Sequence, residues 1–191
     1  PIQMTATDKQ ILQDKTECGN YRVLNFASNT FSENETSYFH KSLGGYHPAK
    51  LRRYQEMIER YIQPQMQKAM TAIVEAGGDM TKVNGDSIYP VISMLNAKYF
   101  VMPLNGGQTV PIMNPYAYGV AWFVDKVSFV DNANQEMDLM AKIDLRHEAV
   151  ADKKFARQIG NATKQDGNSL VTITSYQPNE LTYDVNSDKG G

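Results

Sequence analysis

The chain holds a single cysteine, Cys18, and only three histidines, His40, His47 and His147, in 191 residues. One thiol excludes an internal disulfide and any cysteine-based zinc cluster. Three histidines leave little material for a metal site. Long apolar runs are missing as well: nothing approaches the roughly 18 residues that a membrane-spanning helix needs. Basic charge is not in excess, since 19 Lys and Arg stand against 21 Asp and Glu for a net charge of −2. Nonspecific nucleic-acid binding wants a concentrated basic surface, so nucleic acid is not an expected partner. What is present suits a globular chain: 41% hydrophobic and 21% charged residues are outside the range of disordered sequences.

The common chemical signatures are also missing. No phosphate-binding loop, glycine-rich dinucleotide turn or nucleophile elbow occurs, and no cofactor signal is present. Cys18 stands beside Gly19 with no histidine close in sequence, so an incidental thiol is expected. Asp125, Asp131, Asp138 and Asp144 are spread over different elements, and their spacing forces no two carboxylates together. At the ends, the residues from Pro1 onward carry no Met start, basic n-region or apolar h-region, so no signal peptide is expected within them. A strand-like run, Leu181 to Val185, is followed closely by Asp188-Lys189-Gly190-Gly191. The expectation is a piece of a longer protein.

Residues 5–15 suit a short helix capped by Thr5 or Thr7, with Ile11 and Leu12 as its apolar face. Residues 21–26 alternate as a half-buried strand, and the polar stretch Ser28 to Ser37 reads as loop. The clearest element runs from Pro48, placed at a first helical position, to about Ala76. Leu51, Tyr54, Ile58, Tyr61, Ile62, Met66, Met70, Ile73 and Val74 recur there at helical spacing. Pro64 in its interior predicts a kink or break near residues 60–64, and Gly77-Gly78 ends it. Residues 79–87 read as loop, 91–97 as a short helix, and 98–102 with 109–113 as a hairpin. Val120 to Val130 reads as a long strand. Residues 132–143 read as a helix with Met137, Met140 and Ala141 inward, and a further helical segment is expected within 145–159. Residues 161–168 read as loop, and 170–176 with 181–185 as a second hairpin turning at Gln177-Pro178-Asn179. Without a regular βαβ rhythm, the expected class is α+β: a mixed sheet with one long, kinked helix and several short ones. The expected division is an α+β domain over residues 1–160 and a hairpin over 161–191 that opens a β-sandwich-like module.

One segment concentrates recognition chemistry. Tyr38, His40, Lys41, Tyr46, His47, Lys50, Arg53 and Tyr54 surround Gly44-Gly45. Aromatic faces with polar tips suit sugar stacking, and Lys and Arg beside a helix start suit a phosphate. Tyr38, His40, Lys41, Gly45, Tyr46, His47, Lys50 and Arg53 are therefore the candidate ligand contacts. The same residues also suit a tight structural turn, in which Tyr46 and His47 are hydrogen-bonded to cap the long helix. Both readings are open at this level.

Five words in order, YRVL at 21–24, YFHKSLGGYHPAKLRRY at 38–54, MLNAKY at 94–99, Asn114-Pro115 and AWFV at 121–124, are similar to the extracytoplasmic region of YfhO-type bacterial membrane proteins. The resemblance runs from about residue 8 to residue 187. It implies the soluble outer part of a polytopic GT-C-type glycosyltransferase that modifies cell-envelope polymers from a polyprenyl-phosphate sugar. It further implies a location on the outer, periplasmic face of the membrane, with the transmembrane part of the same chain as partner. Cell-envelope glycan or the polyprenyl-phosphate sugar would be the ligand, and the fragment alone would be inactive because the catalytic carboxylate belongs to another loop. A non-catalytic glycan-binding or assembly module is the alternative. The sequence departs from the expected pattern at Tyr46-His47-Pro48, where a small polar residue before the proline is anticipated.

Overall fold

The computed structural model describes residues 2–160 and 168–187. Its backbone contacts divide the chain into two compact units, Pro1–Gly119 and Val120–Gly191. The fold class is the expected one, a mixed α+β chain with a mixed sheet, a 24-residue helix and further antiparallel strands toward the C-terminus.

In the first unit, helix α1 (Ala6–Ile11) starts at Thr5. The Thr5 and Asp8 side chains cap each other's backbone N–H groups as a reciprocal box. Strand β1 (Arg22–Asn25) lies parallel to β2 (Ala97–Pro103), which pairs antiparallel with β3 (Thr109–Met113). Val23 faces Tyr99 and Leu24 faces Phe100 across the parallel pair. The other edge of β1 is not left open: Val23 N–H donates to the Lys41 carbonyl and Leu43 N–H to the Val23 carbonyl. The 41–43 segment therefore runs along the sheet as a short extra rung, which anchors the glycine segment that follows it. Ile11, Tyr21, Val23 and Val101 pack as one buried cluster beneath α1. Each such apolar side chain contributes about 1.5–3 kcal/mol when fully buried.

The long helix consists of α3 (Arg52–Met57), a π-helical turn (Ile58–Ile62) and α4 (Gln63–Glu75). The expected irregularity is this π turn. Pro64 has no N–H to donate, and its ring would clash with the carbonyl four residues before it. The wide turn, closed by Gln63 N–H on the Ile58 carbonyl, lets Pro64 enter α4 as a first-turn residue. Ile58, Tyr61, Ile62, Ala69 and Ile73 form the buried face, whereas Leu51 and Val74 are exposed. Gly77 and Gly78 end the helix, with Gly78 N–H on the Ile73 carbonyl.

Several expectations are corrected. The long helix does not start at Pro48; it begins at Arg52, because residues 48–49 form a turn in which Ala49 N–H donates to His47 Nδ1. The polar stretch before residue 38 is not all loop: α2 (Glu35–Phe39) forms there, with Thr36 N–H held by the Glu33 carboxylate. Residues 79–87 also hold helical turns, one over Met80–Lys82 capped by Asp79 and α5 (Gly85–Ile88) capped by Asn84. Helix α6 (Pro90–Met94) leads directly into β2.

In the second unit, β4 (Lys126–Val130), α7 (Ala133–Met140) and β5 (Glu148–Asp152) form one parallel βαβ crossover. One expectation gives way here. The strand does not reach back to Val120, because its partner begins only after a turn at residues 144–147 closed by Glu148 N–H on the Asp144 carbonyl. The short helical segment expected within 145–159 is a 3-10 turn over Lys153–Phe155 that runs into α8 (Ala156–Ile159). Before it, Glu148–Asp152 is strand, where pairing with β4 overrides the helical preference of Glu and Ala. Met137 is buried in α7 and Met140 half-buried, but Ala141 is exposed. The loop expected at 161–168 lies, except for its last residue, outside the described residues. Strands β6 (Leu170–Gln177) and β7 (Glu180–Asn186) form the expected antiparallel hairpin, with a register shift between Ile173 and Ser175. No helix among the described residues is long and apolar enough to cross a membrane.

Candidate functional site

The glycine segment is a tightly tied turn. Gly44 packs so closely that a Cβ there would lie 1.9 Å from the Thr30 carbonyl oxygen. Gly45 has φ +100°, a conformation that side chains disfavour. Its N–H donates to the Thr30 carbonyl at 2.7 Å, and Tyr46 N–H donates to the Glu33 carbonyl and the Asn34 side chain. From the other side, the Tyr54 hydroxyl donates to the Leu43 carbonyl at 2.5 Å. The Thr30–Asn34 loop and α3 thus fix the turn between them.

The eight candidate residues do not converge on one place. Gly45 serves the turn. Tyr46, His47 and Arg53 have exposed side chains, and Lys50 sits with its ammonium 5.6 Å from the centre of the Phe31 ring. None of these five borders the cleft described next. Tyr38, His40 and Lys41 do border it.

That cleft has a volume of about 520 Å³. One wall is the chain leaving α1, from Leu12 through Asp14, Lys15 and Cys18 to Gly19. The other is the end of α2 and the residues after it, Ser37 to Lys41, with Tyr21 at the start of β1 between them. Glu17, Cys18 and Gly19 all have positive φ, so the chain makes a left-handed turn along this wall. Asn96, itself at φ +58°, braces that turn by donating from Nδ2 to the Glu17 carboxylate at 3.0 Å.

The polar groups of the cleft differ in how far they are engaged. Asp14 accepts from Lys98 Nζ at 2.8 Å, from the Tyr99 hydroxyl at 2.9 Å, and from both the backbone N–H and the hydroxyl of Thr16. Burial pushes its carboxyl up, but these hydrogen bonds outweigh burial and hold it well below the usual carboxylate range. Burial, with Asp14 beside it, pushes the Tyr99 hydroxyl up to about 12. His40 is almost enclosed, with 2% of its side chain exposed and its Nε2 2.9 Å from Asp8 Oδ1. It forms wall rather than a reaching contact. Lys41 Nζ donates to the side-chain oxygen of Asn20. Tyr38 is the opposite case: it is 69% exposed, and Phe39 supports it edge-on at 5.0 Å between ring centres.

The arrangement suits recognition. The Asp14 oxygens are taken up by donors, and Nε2 of His40 is bound to Asp8. No group of three His, Cys, Asp or Glu side chains among the described residues is arranged to hold a metal ion. Sequence reasoning found Tyr38, His40 and Lys41 from their local concentration, but it missed Asp14, Lys15 and Tyr21. Nothing local joins residues 12–21 to 37–41; they meet through the bridge of Val23 with Ser42, the Lys41–Asn20 hydrogen bond and the His40–Asp8 pair. Comparison with known proteins adds nothing to this geometry: no protein-family model, curated protein or solved structure matches the chain significantly.

Proposed function

We propose that this chain is an outer domain of a YfhO-type membrane glycosyltransferase, and that its cleft receives a cell-envelope glycan for sugar transfer carried out elsewhere in the protein. The observation that supports this most is the cleft between α1 and α2, with an exposed, edge-supported tyrosine ring beside two lysines. Concave sites with a few placed polar groups and aromatic surface are the usual form of small-ligand and oligosaccharide pockets. The engaged state of the Asp14 carboxylate fits a domain that binds and orients, with the catalytic carboxylate outside it. The five sequence words shared with the YfhO type supply the reaction class, with a polyprenyl-phosphate sugar as donor and the transmembrane part of the same chain as partner. This reading puts the domain on the periplasmic face of the membrane.

The test is sugar transfer by the complete protein in membranes, with a polyprenyl-phosphate sugar as donor. Tyr38→Ala is expected to raise the acceptor KM with little change in kcat, the mark of lost binding that is uniform between ground and transition states. Transfer by the complete protein that is insensitive to Tyr38→Ala removes the cleft from the reaction. Glycan binding without any transfer assigns the chain instead to a binding or assembly module.

A further inference from the structure

We propose that Asn105 is a self-modification site, at which the side-chain amide is lost to the neighbouring backbone and the residue becomes aspartate or isoaspartate. The chain has two Asn-Gly pairs, Asn84-Gly85 and Asn105-Gly106. Both suit this chemistry by sequence, because a glycine puts no Cβ beside the attacking nitrogen. The fold treats them in opposite ways. Asn105 opens the Asn105–Gly107 turn that joins β2 to β3, and all three residues are exposed. Its side-chain amide makes no hydrogen bond with any described residue. Gly106 and Gly107 have φ +76° and +74°, and a Cβ at either would meet nothing within 4 Å. The turn is therefore free of packing and can rotate toward the geometry of attack. Asn84 is fixed instead. Its Oδ1 accepts from Ser87 N–H at 3.2 Å and its carbonyl from Ile88 N–H at 3.0 Å, at the cap of α5. Gly85 is buried, and a Cβ there would lie 2.4 Å from the Tyr116 ring and 2.6 Å from the Tyr89 ring. Bringing the Asn84 side chain onto Gly85 N breaks the cap and requires local opening of α5.

The reaction balances with water alone. Gly106 N bonds to Asn105 Cγ, the bond from Cγ to the amide nitrogen breaks, and that nitrogen leaves as ammonia with the Gly106 amide proton. One water then opens the cyclic imide at either carbonyl, giving aspartate or isoaspartate. Each product adds a negative charge. Isoaspartate also puts an extra methylene into the main chain of the loop that Leu104 N–H closes on the Gln108 carbonyl at 2.8 Å.

The test is incubation of the whole 191-residue chain, folded, in mildly alkaline buffer. Peptide mass spectrometry then reads the loss of each amide, and enzymatic methyl labelling reads isoaspartate. Asn105 is expected to convert roughly tenfold faster than Asn84 in the folded chain, because only Asn84 must wait for local opening. In urea the two sites should convert at similar rates. Gly106→Ala should slow conversion at residue 105, where the new Cβ hinders attack, and leave Asn84 unchanged. Similar rates at the two sites in the folded chain overturn the proposal. So does an Asn105 amide that survives in the folded chain over a period in which the unfolded chain converts. The two unsubstituted sites decide the matter by themselves if Gly106→Ala fails to fold.

Discussion

The imidazole of His40 meets the carboxylate of Asp8 at 2.9 Å, joining α1 to the segment after α2 across 32 residues of sequence. Asp8 is also the partner of Thr5 in the cap of α1, so one carboxylate serves a helix start and a cleft wall together. His40→Ala is expected to lower stability by about 1–3 kcal/mol, the cost of leaving an enclosed polar group short of its partner. Urea unfolding of the variant measures it, and an unchanged midpoint would show that the pair is dispensable. Burial raises the Asp8 carboxyl, but the Thr5 and His40 hydrogen bonds outweigh it and leave it below its ordinary value of 3.8. The stability that follows from this lowering is therefore complete above that pH and is lost as pH falls below it.

Gly44 and Gly45 respond differently to a methyl group. Gly44→Ala drives a Cβ into the Thr30 backbone, which is flanked by its own hydrogen bonds, and should cost about 3 kcal/mol. Gly45→Ala meets the Ser37 hydroxyl at 3.0 Å and the Glu33 carbonyl at an ordinary 3.8 Å, so its cost comes mainly from its φ of +100°, about 1–2 kcal/mol. Thermal unfolding of the two variants side by side checks the order. A reversed order would mean that the turn is not held against Thr30.

Tyr99 should titrate late, near pH 12, because burial and the negative charge of Asp14 beside it both disfavour its ionised form. Its raised value stabilises the fold fully below the ordinary tyrosine value of 10.0, and that contribution is lost as pH climbs through 12. Asp14→Asn should bring the Tyr99 transition down, visible as earlier phenolate absorbance in an alkaline titration. An unmoved transition would leave burial as its cause.

The helix and the hairpins were legible in the sequence because their signals are local. Ile58, Tyr61, Ile62 and Ile73 repeat at helical spacing, Pro64 marks its own irregularity, and Asn105-Gly106-Gly107 and Gln177-Pro178-Asn179 announce turns. The short helices at Glu35 and Gly85 were hidden because single side chains, Glu33 and Asn84, start them from otherwise loop-like residues. Strand β5 was hidden because its composition favours helix and only the partner strand overrules it. The cleft was half visible. Tyr38, His40 and Lys41 stood out as a cluster, but Asp14 meets Tyr99 from 85 positions away, and no periodicity reports such a contact.

Tyr38→Ala should separate binding from folding. The ring is largely exposed, so its removal should change stability by no more than about 0.5 kcal/mol. The same variant should lose most of the affinity for a glycan probe. Loss of both together would mean that the ring supports the fold.

The most direct measurement for the proposed function is the hydropathy of the complete reading frame that contains residues 1–191. The account predicts several apolar stretches of about 20 residues on both sides, the mark of a polytopic membrane protein with this domain between its spans. A reading frame that begins and ends close to these residues, with no such stretches, would contradict it.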